Sequence, residues 1–298
     1  VAKGKGAGSV RVVRGVVGAG DVVDTDAELA VRGFKLHDPG VGGHRQGDSD
    51  RGRLFRIAPP GHRYEAPEFD FSTAAGASAA LRNPNLAVRY RAWQSLHKMG
   101  VDAEKELLTL YSDDNPRIRA RALWLLGKIE GKGKHYVELA LQDPHSDIRV
   151  TAIRLAKQLT MTPSKWLADA VHDESHAVRR ELAVAIRFDK SPEMPGIWAQ
   201  LATTYNGRDR WFLEALGIGS DVRPDECFDA YLRMVSGRWD TQAGRDLVWR
   251  VRAAKAADAM VSLIANPSLP LSETDRYFRS LEFHDDDVRA TALERLLP

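Results

Sequence analysis

Cysteine is almost absent. Cys227 is the only one in 298 residues, which excludes an intramolecular disulfide, any Cys-x-x-Cys metal site and haem attachment through Cys-x-x-Cys-His. Long apolar runs are missing too: no window of eighteen apolar residues occurs, so no helical membrane span is expected. The opening VAKGKGAGSV holds no apolar core of a secretory leader, and it begins on Val rather than Met. Charge is not dominated by one sign. The chain carries 43 Lys and Arg against 41 Asp and Glu; residues 1–68 hold 11 against 9, and the rest is balanced at 32 of each. Non-specific nucleic-acid binding needs an excess of cations facing phosphate, so nucleic acid is not the expected partner. Phosphate loops are lacking as well, because neither GKGAGS nor GVVGAGD is a Gly-x-Gly-x-x-Gly and no Gly-Lys-Ser/Thr occurs.

What the chain does have is a thirty-residue repeat. Leu81, Tyr111, Leu141 and Val171 close one apolar run, and Asn83, Asp113, Asp143 and Asp173 follow two residues later. Val88, Ile118, Ile148 and Val178 open the next run, each followed at once by an arginine: Arg89, Arg119, Arg149 and Arg179. Four columns held over four copies without a gap mark a repeat protein. Within each unit the apolar period is helical. Ile118, Ala122, Leu125, Leu126 and Ile129 form one face, as do Ile148, Ala152, Leu155, Ala156 and Leu159, and Val178, Leu182, Ala185 and Ile186. A shorter helix precedes each, through Leu107, Leu110 and Tyr111, then Val137, Ala140 and Leu141, then Leu167, Ala170 and Val171. Asn115-Pro116 reads as an N-cap with proline at the first helical position, and Asn85, Ser146 and Ser175 are the equivalent caps. A two-helix unit of this size cannot bury its stripe alone, so neighbours must stack around a shared core.

These columns resemble the HEAT-repeat pattern. The resemblance implies an all-α, right-handed α-solenoid of about six to seven helix pairs over residues 69–298, preceded by a short irregular or β-like segment over 1–68. It also implies a structural ladder of Asp113, Asp143 and Asp173 with Arg89, Arg119, Arg149 and Arg179, in which arginines and turn acids of adjacent units meet. After residue 188 the register slips, with Asp209-Arg210-Trp211 and Asp287-Val288-Arg289 as degenerate copies of the signature.

Residues 1–34 hold nine valines and seven glycines and read as a β-like or disordered leader. Asp38 to Pro60, DPGVGGHRQGDSDRGRLFRIAPP, is the sharpest local motif: Asp-Pro-Gly is a turn signal and Arg53 to Ile57 alternates like a strand. Asp38, Pro39, Gly40, Val41, Gly42, Gly43 and His44, then Arg51, Gly52, Arg53, Phe55 and Arg56, resemble the end of the propeller in planctomycete-type membrane-bound dehydrogenases. In that family a quinoprotein-like β-propeller is followed by HEAT repeats and a c-type haem domain. The resemblance implies an exported parent enzyme that uses c-type haem and a quinone. Lys35-Leu36-His37 departs from that family's Asp-Trp-Tyr, and the propeller blades and haem motif are not in this sequence. No cofactor is therefore expected in this chain itself, and His44 is read as bonding its own turn.

Other constellations are read as structural. His172 and His176 are four apart but flank an inter-helix turn, so no metal is expected there. Asp285, Asp286 and Asp287 precede a helix and suit its N-terminus. Cys227, Trp93 and Trp124 are read as packing residues. Two functions follow. The first is a non-catalytic scaffold binding a protein partner or adjacent domains of its own polypeptide, with no catalytic residue assigned. The second is a nucleic-acid-binding HEAT-like solenoid of the DNA-glycosylase kind, which requires Arg117, Arg121, Arg154, Arg180 and Arg187 on one concave face.

Overall fold

A computed structural model describes residues 11–15, 54–58, 67–161 and 170–297. The chain divides into two compact units, Val1–Glu68 and Phe69–Pro298. In the first, β1 (Arg11–Gly15) pairs antiparallel with β2 (Leu54–Ala58), Val13 opposite Arg56. Asp38, Gly42, Gly43, His44, Arg51 and Arg53 lie outside the described residues.

The second unit is helical among its described residues. Its α-helices are α1 (Ala74–Leu81), α2 (Leu86–Met99), α3 (Glu104–Tyr111), α4 (Pro116–Leu126), α5 (Gly133–Leu141), α6 (Ser146–Gln158) and α7 (His176–Ala185). There follow α8 (Met194–Thr203), α9 (Arg210–Ser220), α10 (Pro224–Met234), α11 (Gln242–Arg250), α12 (Ala254–Ile264), α13 (Leu271–Leu281) and α14 (Asp286–Glu294). They stack in two layers, a solenoid-like arrangement. The second layer runs α2, α4, α6, α7, α9, α11, α13, each helix packed on the next, while α8, α10, α12 and α14 continue the first layer.

Local chemistry sets these boundaries. Asn85 and Asn115 accept from the N–H groups of Ala87 and Arg117, and Pro116 fills the first turn of α4. At α6 the cap is His145 rather than Ser146: its Nδ1 accepts from the Asp147 N–H at 3.2 Å. The turn Asp143 carboxylate already bonds the His145 N–H, which places the cap one residue earlier than a hydroxyl-based reading puts it. Gly100 closes α2 at φ +58°, where a side chain would be strained.

The predicted stripes are the core. Ala122, Leu125, Leu126, Ile148, Ala152, Leu155, Val178 and Leu182 are buried. A further column at the same spacing, Leu123, Ile153 and Ala183, is also buried, because a second-layer helix has a neighbour on each side as well as one beneath. At the C-terminal end the simple alternation of helix pairs gives way. Residues 256–297 hold parts of three helices, and Asp287-Val288-Arg289 lies in α14, which packs against α12 in the first layer. It does not open a second-layer helix as the other copies of the signature do.

Candidate functional site

The charged turns between layers are the most organised polar feature of the described residues. Asn83, Asp113, Asp143 and Asp173 act alike within their turns, each accepting from the backbone N–H two residues on, at 2.8 Å. That Asx turn orders the entry to the next helix. It also holds Asp113 below the usual carboxylate range, the Asn115 N–H being the main cause and Arg82 a lesser one.

The arginine column then joins neighbouring turns. Arg149 is a complete rung. Its Nη1 donates to the carbonyls of Asp143 and Pro144 in its own turn, at 2.8 and 3.2 Å. Its Nε and Nη2 fork onto both oxygens of Asp173 in the next turn, at 2.7 and 2.8 Å. Both side chains are only 10% exposed, and the bonded carboxylate holds the guanidinium above its ordinary pKa. Arg119 reaches Asp143 in the same sense and lies 5.7 Å over the Tyr111 ring. Burial, then the Asp143 charge, push the Tyr111 hydroxyl up to about 12.

The column breaks at both ends. Asp113 is taken by Arg82, not Arg89. Arg179 bonds its own turn at the Asp173 carbonyl and stacks 5.7 Å over Phe212, while Arg180 supplies the rung to Asp209 at 2.9 Å. Asp209 is itself the N-cap of α9, accepting from the Phe212 N–H, so it stands two residues later in its turn than Asp113, Asp143 and Asp173 do in theirs and meets the adjacent arginine.

Beyond that slip a second polar network appears that repeat spacing does not announce. Asp246, buried in α11, accepts from the Tyr205 hydroxyl at 3.2 Å, Gln242 at 3.2 Å and Arg276 at 2.6 Å. Tyr205 and Arg276 stand 41 and 30 residues from Asp246 and belong to none of the four columns read between residues 81 and 179, so those columns offer no signal for them. His284 is likewise buried, with neither ring nitrogen bonded among the described residues. Burial first, then Arg252, lowers its pKa to about 4, against the pull of Asp285 and Asp225.

The remaining candidates have structural places. His172 and His176 are exposed, and His176 Nδ1 lies 3.5 Å from Asp209; no grouping of three metal-ligating side chains occurs among the described residues. Asp286 pairs with Arg289 at 2.8 Å within α14. Trp93 stacks on His97 at 4.9 Å. Cys227 is fully buried against Met194, and burial pushes its thiol up to about 12. Of the five arginines required for a nucleic-acid groove, four are engaged. Arg121 donates to the Leu81 carbonyl, and Arg154, Arg180 and Arg187 pair with Glu181, Asp209 and Asp221.

No protein-family model matches the sequence, and no curated protein is similar enough to match it. Among solved structures, the chain is similar to the X-ray structure of YibA from E. coli. The likeness has 17% identity and a TM-score of 0.41, covering 74% of this chain and 90% of that one.

Proposed function

We propose that residues 69–298 act as a non-catalytic HEAT-like scaffold that presents a surface to protein, as the spacer module of a larger haem-linked dehydrogenase of the family resembled. One observation carries the reading. Three of the most exposed apolar side chains, Leu86 (72%), Trp211 (73%) and Leu271 (82%), stand in the opening residues of second-layer helices. Large aromatic and aliphatic groups standing at the same end of three second-layer helices are of the kind a protein partner covers. Between Arg82 and Asp209, beneath Leu86 and Trp211, the ladder supplies the rigidity such an edge needs.

The haem of the resembled family does not fit this chain. Covalent attachment takes two thiols and an adjacent histidine, whereas Cys227 is single, buried and held protonated. Haem, and any quinone, would belong to neighbouring modules.

The test is a photo-crosslinking amino acid at position 211 in the native host, with position 134, exposed on α5, as control. Crosslinks from 211 to a protein or to another module of the same polypeptide are expected. No crosslink, or crosslinks only to nucleic acid, would reject the scaffold reading. Sequencing the transcript past both ends tests the spacer assignment, which requires propeller blades upstream and Cys-x-x-Cys-His downstream.

A further inference from the structure

The first rung of the ladder lacks its acid. Arg89 sits in its turn as Arg149 does in its own: Nη1 donates to the carbonyls six and five residues back, Asn83 at 3.0 Å and Pro84 at 2.6 Å. In Arg149 the opposite edge of the guanidinium, Nε and Nη2, grips a carboxylate. In Arg89 that edge meets no acceptor among the described residues, because Arg82 has engaged Asp113.

Two more arginines crowd the same turn. Arg121 Nη1 is fixed on the Leu81 carbonyl at 2.9 Å, and Arg117 lies one helical turn earlier on α4, exposed and with no side-chain partner among the described residues. Burial lowers the pKa of Arg121, and the charges of Arg89 and Arg117 lower it further. The turn before α4 itself carries Asp113, already paired, and the exposed Asp114. The corresponding places in the next unit, thirty residues on, are Asp147 and Thr151, so this accumulation of positive charge belongs to the first two units.

We infer that Arg89, Arg117 and Arg121 form a binding site for a carboxylate of an acidic protein segment, which completes the rung as Asp173 completes the rung of Arg149. A planar fork preset by its own turn loses little freedom on binding, and bidentate pairing with a carboxylate is the geometry it matches. That the acid comes from a protein rests on the scaffold reading; the site itself does not.

The test is a fluorescence-anisotropy titration of a labelled deca-glutamate peptide with the full chain at about 0.15 M ionic strength. Saturable binding is expected. Arg117→Gln, which removes no side-chain hydrogen bond or ion pair among the described residues, should weaken it about tenfold, and the pair Arg89→Gln with Arg117→Gln should weaken it further. Arg89→Lys should bind more weakly than the parent, since it keeps the charge and loses the fork. Arg154→Gln, on α6 and paired with Glu181, should leave affinity unchanged; all variants are to match the parent's circular dichroism. Absent binding, binding indifferent to Arg117→Gln, or an equal loss in Arg154→Gln would overturn the site. A single-stranded oligonucleotide of equal charge binding more tightly through the same arginines would overturn the acidic-peptide assignment. Retained crosslinks from position 211 in an Arg89→Gln, Arg117→Gln chain would show the scaffold reading standing where this one fails.

Discussion

At the residue scale the decisive group is Arg149, because one planar side chain closes its own turn and grips the next. Lysine could neutralise Asp173 but could not bond two carbonyls and both carboxylate oxygens at once. Burial makes the pair sensitive to losing either member. Arg149→Ala leaves the Asp173 carboxylate with the Ser175 N–H and strips two carbonyls of their donor. A loss of about 3–5 kcal/mol is expected, the range for breaking a buried pair from one side. Lys134→Ala, which removes a solvent-exposed partner of Glu138 on α5, should cost less than about 0.5 kcal/mol. Urea denaturation of the two variants checks the contrast; near-equal midpoints would mean that the rung contributes little. The spacing of thirty made Arg149 and Asp173 legible as successive columns. It could not tell that Arg89 and Arg179 break the pattern, since their departures depend on Arg82 and Arg180, which belong to no column.

At the scale of elements, the separation of the second-layer helices is set where a side chain is missing. A Cβ on Gly219 of α9 would come within 2.4 Å of the Ala183 carbonyl oxygen on α7, too close for either backbone to stay in place. Nearby, the Trp198 indole N–H donates to the Leu216 carbonyl at 2.8 Å, so α8 and α9 are tied to each other. Alanine ordinarily improves a helix by about 1 kcal/mol over glycine; at position 219 the contact reverses the sign. Gly219→Ala should destabilise by about 1–3 kcal/mol, the cost of overpacking. Gly196→Ala in α8, where nothing lies within 4 Å of the added carbon, should stabilise by up to about 1 kcal/mol. Thermal melting of both checks the pair of signs. Helix existence was readable from caps and stripes in this region, whereas the close approach of α9 to α7 was not: a glycine inside a helical pattern carries no mark of what faces it.

At the scale of the helical unit, pH between about 4 and 6.5 acts through a group at its C-terminal end. His284 follows α13, and its buried ring makes no hydrogen bond among the described residues, with Arg252, Asp285 and Asp225 as the charges that act on it. Its folded pKa lies near 4, below the ordinary 6.5, so the unfolded chain binds the proton more readily. Stability is therefore complete above pH about 6.5 and declines as pH falls towards about 4. His284→Leu should flatten the melting temperature across that window and raise it, because two unbonded buried nitrogens are removed. Below it, parent and variant should decline together as Asp113, Glu104 and Glu226, all held below their ordinary values, take up protons. A variant with the parent's slope between pH 4 and 6.5 would locate that acid sensitivity elsewhere.

The amino-acid sequence by itself determined the helical period, the thirty-residue unit, most of the buried stripe and the two residue types of the ladder. These rest on local chemistry: capping, periodic burial and the Asx turn act within a few residues. Which arginine meets which acid, the burial of the Leu123, Ile153 and Ala183 column, the Asp246 network and the first-layer place of α14 were decided only by the tertiary structure. Each depends on which residues, far apart in sequence, meet across the stack, and that meeting leaves no mark in any local pattern. The unfilled edge of Arg89 belongs to the same class, because it exists only where a neighbouring arginine has already taken the acid.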